Sequence, residues 1–147
     1  MRKVAIALFA LVLGAQFIRF DHPVSQDGRE PAAPSEVDAT LRGACYDCHS
    51  NHPRWPWYAH LAPVSWLLQR DLENGRRRLN FSEWDAYVSD PETVRHKLEE
   101  IRTAMVRLEM PPWSYRLLHP EARLTSAQRD LLIRWTETTA DHPQPSP

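Results

Sequence analysis

The chain has 147 residues, 42% of them hydrophobic and 25% charged, with 18 Lys or Arg against 19 Asp or Glu and a formal net charge of −1. That length holds one domain with a real core rather than two. The balanced charge argues against nucleic acid as a partner, because phosphate binding needs a basic excess on some face and only Arg76-Arg77-Arg78 forms a basic run.

Residues 1–20, MRKVAIALFALVLGAQFIRF, place Arg2 and Lys3 ahead of an apolar run from Val4 to Ala15 that Phe17 and Ile18 extend. This pattern predicts a signal peptide or membrane anchor. Leu13-Gly14-Ala15 is a usable cleavage site, yet the run through Phe20 reaches the short end of a spanning helix, and a retained inner-membrane anchor over residues 4–20 is the favoured reading. The run has no polar face at helical period, which disfavours a buried core helix. Two positive charges ahead of it keep the N-terminus inside and place the domain in the periplasm, anchored or released.

Residues 21–35, DHPVSQDGREPAAPS, predict a flexible linker. The domain, residues 36–138, opens with a helix from 36 to about 48, capped by Ser35 and carrying Val37, Leu41 and Ala44 on one face. Residues 53–62 predict an irregular packed loop. A second helix starts at Pro63, shows Val64, Leu67, Leu68 and Leu72 at helical period, and stops at Asn74-Gly75. Arg76 to Arg78 then read first as a solvated helix cap and second as a docking point for an acidic redox partner. Ser82 caps a short turn through Tyr87. Asp90-Pro91-Glu92 opens a third helix with the stripe Val94, Leu98, Ile101, Met105 and Leu108. Met110-Pro111-Pro112-Trp113 cannot continue it, and an extended loop to about Leu124 is expected. Thr125 with Gln128 forms a capping box for a terminal helix to about Thr138, with Ala127, Leu131 and Trp135 inward; residues 139–147 are expected to be a disordered tail. With no strand alternation, the chain reads as all-α.

The chemistry gathers in Cys45-Tyr46-Asp47-Cys48-His49, a C-x-x-C-H string containing both cysteines of the chain. Positions i and i+3 of a helix point the same way about one turn apart, so two thiols reach two vinyl groups of one porphyrin edge while the next residue, His49, ligates the iron from below. Covalent attachment of one haem c is the reading these residues favour. Zinc held by Cys45, Cys48 and two of His49, His52 and His60 is an alternative. A thiol-disulfide exchanger is another, disfavoured by the late position of the pair in its helix. A structural disulfide would close almost no loop.

Two methionines compete for the second axial position. Met105 lies on an apolar helix stripe and reads as core, whereas Met110 sits in a stiff Pro-Pro segment able to present a thioether, and is the candidate distal iron ligand. His52 and His60 stand too close along the chain; His96 and His119 have no support from spacing. Six Trp and four Tyr need a partner surface, and Trp55, Trp57, Tyr58, Trp66 and Trp113 are the expected wall of a haem crevice.

Taken in order, CYDCHSN, RWPWY, APVSWL, LNFSEW, EMPPWSY and LLHPEARLT resemble the bacterial haem-binding domain family of small exported proteins with one C-x-x-C-H motif. The resemblance covers roughly residues 36 to 138. It implies a covalent haem, an export or anchor segment, and association with electron-transfer or peroxidase-like cytochromes, with Cys45 and Cys48 as thioether sites and His49 as proximal ligand. The expectation is a cytochrome c-like helical domain around one haem c that transfers single electrons in the periplasm. Its partners would be redox proteins, such as other cytochromes or a dihaem peroxidase. The alternatives are a haem-based sensor with an open or displaceable sixth position and a zinc-binding interaction module. No catalytic base or substrate pocket is legible.

Overall fold

The structure, a computed structural model, describes residues 1–18 and 28–141. Residues 19–27, which complete the expected anchor and hold the first part of the expected linker, and residues 142–147 of the expected tail lie outside the described residues. Among the described residues every regular element is helical.

Helix α1 (Arg2–Ala15) buries none of its residues. Its end is tied to the domain through Gln16, whose Oε1 accepts from the Ala62 amide at 3.0 Å while its Nε2 donates to the Ala62 carbonyl at 3.3 Å. No helix among the described residues is long and apolar enough to cross a membrane.

The domain begins with α2 (Ser35–Ala44), which buries Val37, Thr40, Leu41 and Ala44 and has Glu36 and Asp38 in its first turn, where the helix dipole favours acids. Its cap is Pro34, and Ser35, the expected cap, is already the first helical residue. The helix breaks at Cys45 and resumes as α3 (Tyr46–His49), so the single helix expected over 36–48 is two. The segment 53–62, expected as loop, contains a 3-10 turn from Trp57 to His60.

Helix α4 (Val64–Arg78) runs through Asn74-Gly75 instead of stopping there. Its N-terminal half lies near the surface: Leu72 is buried, but Val64 and Leu67 are exposed despite their helical period. A 3-10 turn from Phe81 to Glu83 leads into α5 (Trp84–Val88). Asn80, not the expected Ser82, caps that turn, accepting from the Ser82 amide at 3.1 Å. Ser82 is diverted to a longer-range task, its Oγ accepting from the Asn51 amide at 3.0 Å.

Helix α6 (Pro91–Val106) is capped by Asp90, which accepts from the amides of Glu92 and Thr93. Val94, Leu98, Ile101 and Met105 are buried as expected of a stripe at helical period. Leu108 is not part of it: the helix ends at Val106, and Leu108 adopts φ of 57° with its side chain exposed. The stretch expected as an extended loop to Leu124 contains α7 (Trp113–Leu118) and a 3-10 turn from Pro120 to Ala122. Two prolines ahead of α7 cost it nothing, because amides at a helix start need no intrahelical acceptor. Helix α8 (Ser126–Asp141) opens with the capping box: Gln128 N–H donates to Thr125 Oγ1 at 3.2 Å, and Thr125 N–H donates to Gln128 Oε1 at 2.9 Å. It buries Leu132, Trp135 and Thr136 against α6, whereas Ala127, expected inward, is exposed.

An aromatic column runs through a core otherwise built of aliphatic side chains such as Leu41, Leu98 and Leu132. Tyr46 stacks on Phe81 with centroids 5.1 Å apart, Phe81 on Trp84 at 6.1 Å, and Trp84 meets Trp135 at 6.4 Å. Trp84 is fully enclosed. This column joins α3, the 81–83 turn, α5 and α8, so one end of the hydrophobic core is the second residue of the C-x-x-C-H string.

Candidate haem site

The two variable residues of Cys45-Tyr46-Asp47-Cys48-His49 fix the motif from opposite sides. Tyr46 enters the aromatic column. Asp47 turns the other way and gathers donors from two distant segments: the Arg54 amide at 3.0 Å, Arg54 Nη2 at 2.8 Å and the Tyr115 hydroxyl. Burial alone would raise the Asp47 pKa, but the hydrogen bonds from Arg54 and Tyr115 override it and hold the carboxyl below its ordinary value. The carboxylate therefore ties α3 to the loop after it and to α7.

Between these two anchors stand the thiols. Cys45 and Cys48 are both free and half-buried. Burial pushes the Cys45 thiol up to about 12 and the Cys48 thiol up to about 11. A disulfide exchanger needs the opposite, a thiol with a lowered pKa.

His49 is oriented by the chain rather than by its neighbours in sequence. Its Nδ1 lies 3.0 Å from the Leu79 carbonyl, and a carbonyl only accepts, so Nδ1 carries the proton and Nε2 holds the lone pair. Burial lowers the pKa of the ring, against the raising effect of the Leu79 and Gly75 carbonyls, and favours the neutral form that a metal requires. The Leu79 carbonyl is available because α4 extends past Gly75 and delivers the chain there. Gly75 is what lets α4 approach: a Cβ on it would stand 2.4 Å from the Cys48 carbonyl oxygen.

Beside Cys48 opens a cleft whose lining includes Asp47, Arg54, Trp55, Tyr58, Tyr115 and His119. His119 stacks on Tyr115 at 4.0 Å, its Nε2 is 2.5 Å from the Tyr58 hydroxyl, and its Nδ1 is 3.1 Å from Glu121 Oε1. Of the expected aromatic wall, the structure brings Trp55 and Tyr58 to this cleft. Trp57 and Trp113 are strongly exposed, 76% and 70%, and Trp66 on α4 keeps a buried Nε1 with no hydrogen-bond partner among the described residues. Met110 is outside the lining, with its side chain exposed and its carbonyl accepting from Arg129 Nη1 at 3.2 Å. Of the lining residues, Asp47, Arg54, Tyr115 and His119 are ones that spacing did not single out. The signal was indirect, in that His119-Pro120 and Trp113-Ser114-Tyr115 fall within the stretches carrying the family resemblance.

Among the described residues no group of three or more His, Cys, Asp or Glu side chains converges to hold a metal ion, and His52 and His60 are both exposed. The four-ligand zinc set is therefore not assembled. The donor set fits a porphyrin better: two neutral thiols in adjacent turns, one imidazole with an oriented lone pair, and large aromatic faces with no core to enter. Haem would be held by Cys45, Cys48 and His49.

A search of curated proteins returned no match, and neither did a search of solved structures. A family model did: the one described as a haem-binding domain matches residues 10–138, most of the chain. With that match over the helical domain and its C-x-x-C-H segment, the chain belongs to the haem-binding domain family.

Proposed function

We propose that the protein is a monohaem c-type cytochrome that transfers single electrons in the periplasm. Cys45 and Cys48 are its thioether sites, His49 its proximal iron ligand and Met110 its distal one. The observation that carries this reading is the fixed orientation of His49 by the Leu79 carbonyl, directly after two free thiols. Bound haem supplies a ferric/ferrous couple; the chain supplies position and surroundings. The hydrogen bond to Leu79 holds the His49 ring and raises the basicity of Nε2. Tyr46 and Asp47 keep the two thiols in adjacent turns, and Trp55 and Tyr58, which line the cleft beside Cys48, give the flat macrocycle an aromatic wall. The partners are redox proteins such as other cytochromes or a dihaem peroxidase, not nucleic acid. Residues 4–20 export the domain and hold it at the inner membrane.

The test is a pyridine haemochrome spectrum after denaturation and acid-acetone extraction of protein made in cells competent to mature c-type cytochromes. Retained colour with a c-type spectrum is expected; a colourless protein containing zinc would overturn the reading.

One observation favours a second reading. Met110 is exposed and outside the cleft, so a haem-based sensor with an open or displaceable sixth position has support. Fast, complete carbon monoxide binding to the reduced protein would select it over electron transfer.

A further inference from the structure

The basic run at the end of α4 is not three equivalent cations. Arg77 and Arg78 are exposed, and Arg77 is met by Asn74 and by Glu73 at 3.9 Å. Arg76 turns inward. Its Nε donates to the Ser50 carbonyl at 2.9 Å, which places the guanidinium beside the residue that follows His49. Its Nη2 is buried with no hydrogen-bond partner among the described residues. Arg42, Arg54, Arg95 and Arg102 all reach a carboxylate within 3.5 Å. Arg76 forms no such pair with any described carboxylate; Glu73 and Glu83 act on it only through their fields, and burial lowers its pKa.

A half-buried guanidinium with no carboxylate partner and one buried nitrogen left without an acceptor is costly to keep, and its cost falls when negative charge collects nearby. Reduction of an iron held by His49 would add one electron to a site whose following residue, Ser50, accepts from this guanidinium. A fixed positive charge favours that state by direct Coulomb attraction, least screened where water is excluded. We propose that Arg76 is an electrostatic tuning residue that raises the midpoint potential of the haem held at Cys45, Cys48 and His49. The inference rests on the covalent-haem reading. It separates Arg76, with its buried guanidinium nitrogen, from Arg77, which remains on the surface; Arg78, also exposed, reaches His49 only through its field.

The experiment is potentiometric titration of full-length holoprotein for wild type, Arg76→Lys, Arg76→Gln, Arg76→Met and the surface control Arg77→Gln. Expected is a downward shift of the midpoint in both neutral Arg76 variants, a value near wild type for Arg76→Lys, and a clearly smaller shift for Arg77→Gln. Arg76→Met fills the buried stem with apolar atoms and serves if the Gln variant does not accumulate. Equal potentials in wild type and a neutral variant would overturn the proposal. So would Arg76→Lys falling as far as Arg76→Gln, which would assign the effect to guanidinium geometry rather than charge. Wild-type protein without covalent haem would instead sink the underlying reading, and the pyridine haemochrome spectrum separates the two failures.

Discussion

Gly75 of α4 lies against the Cys48 carbonyl so closely that a Cβ would come within 2.4 Å of the oxygen and 3.1 Å of its carbon. Both contacts are with backbone, which cannot swing aside as a side-chain tip would. Gly75→Ala sets two effects in opposition. Relief of glycine's cost inside a helix favours the variant by about 1 kcal/mol. Overpacking against a fixed backbone costs about 1–3 kcal/mol and also shifts α4 away from α3. The clash wins, so Gly75→Ala should lower the melting temperature and reduce the yield of haem-loaded protein. A variant that melts higher than wild type would show that the helices are not in close contact at this point.

Asp47 is tied to Arg54 and Tyr115 across 7 and 68 residues of chain, respectively. Its carboxylate is largely buried, so removing its charge leaves donors facing a weaker acceptor. Hydrogen bonds to charged groups contribute roughly 1.5–3 kcal/mol. Asp47→Asn should therefore cost about 2 kcal/mol in urea unfolding, and Tyr115→Phe, which removes one donor, should cost less. In a double-mutant cycle the two losses should fall short of adding. Additive losses would mean that the Tyr115 hydroxyl and Asp47 are not coupled.

The sequence made the helical class, the capped starts of α6 and α8, and the C-x-x-C-H chemistry legible because each rests on local spacing, whereas α6 stops at Val106 short of the expected Leu108 and α8 runs on to Asp141, through the first three residues of the expected tail. What it hid depends on neighbours distant in the chain. Gly75 reads as a helix stop when only its lack of a side chain is visible; its use becomes clear once Cys48 stands beside it. Ser82 reads as a cap, but its hydroxyl serves Asn51, thirty-one residues away. Helix α7 has six residues and no apolar stripe to betray it behind two prolines. Composition counts the aromatics without sorting them: Trp84 and Trp135 close the core, whereas Trp57 and Trp113 remain at the surface. The hydrogen bond from His49 to Leu79 spans thirty residues, so only the ligand type was readable, not its tautomer.

Asp90 gives the fold a pH dependence that can be measured apart from the site. As cap of α6 it accepts from the Thr93 hydroxyl and from the amides of Thr93 and Glu92, and these bonds lower its pKa. A carboxyl with a lowered folded-state pKa stabilises fully above its unfolded value, about 3.9, and loses that contribution as pH falls through the lower folded value. Asp90→Ala should thus melt below wild type at pH 7 by a gap that stays constant down to the carboxylate range. The gap should then narrow as the pH drops further. Thermal melts monitored by helical circular dichroism at pH 7, 5 and 3 measure it, and a gap that widens toward pH 3 would contradict the cap assignment.

Met110 decides between the two readings of the site. Its position after α6 and before the buried Pro111 restrains the backbone, and Arg129 holds its carbonyl, yet its side chain is exposed. Ligation requires the thioether to move inward, and the iron–sulfur bond must outweigh the cost of ordering that side chain. If it does, reduced wild-type protein should resist carbon monoxide at neutral pH. Met110→Ala should then keep covalent haem, since Cys45 and Cys48 are untouched, but bind carbon monoxide rapidly and show a lower midpoint potential, because a methionine ligand raises it. Met110→His should restore resistance at a potential below that of wild type. An absorption spectrum identical in wild type and Met110→Ala would remove Met110 from the ligand set. Combined with rapid carbon monoxide binding by wild type, it would leave a haem site whose sixth position is open to exogenous ligands.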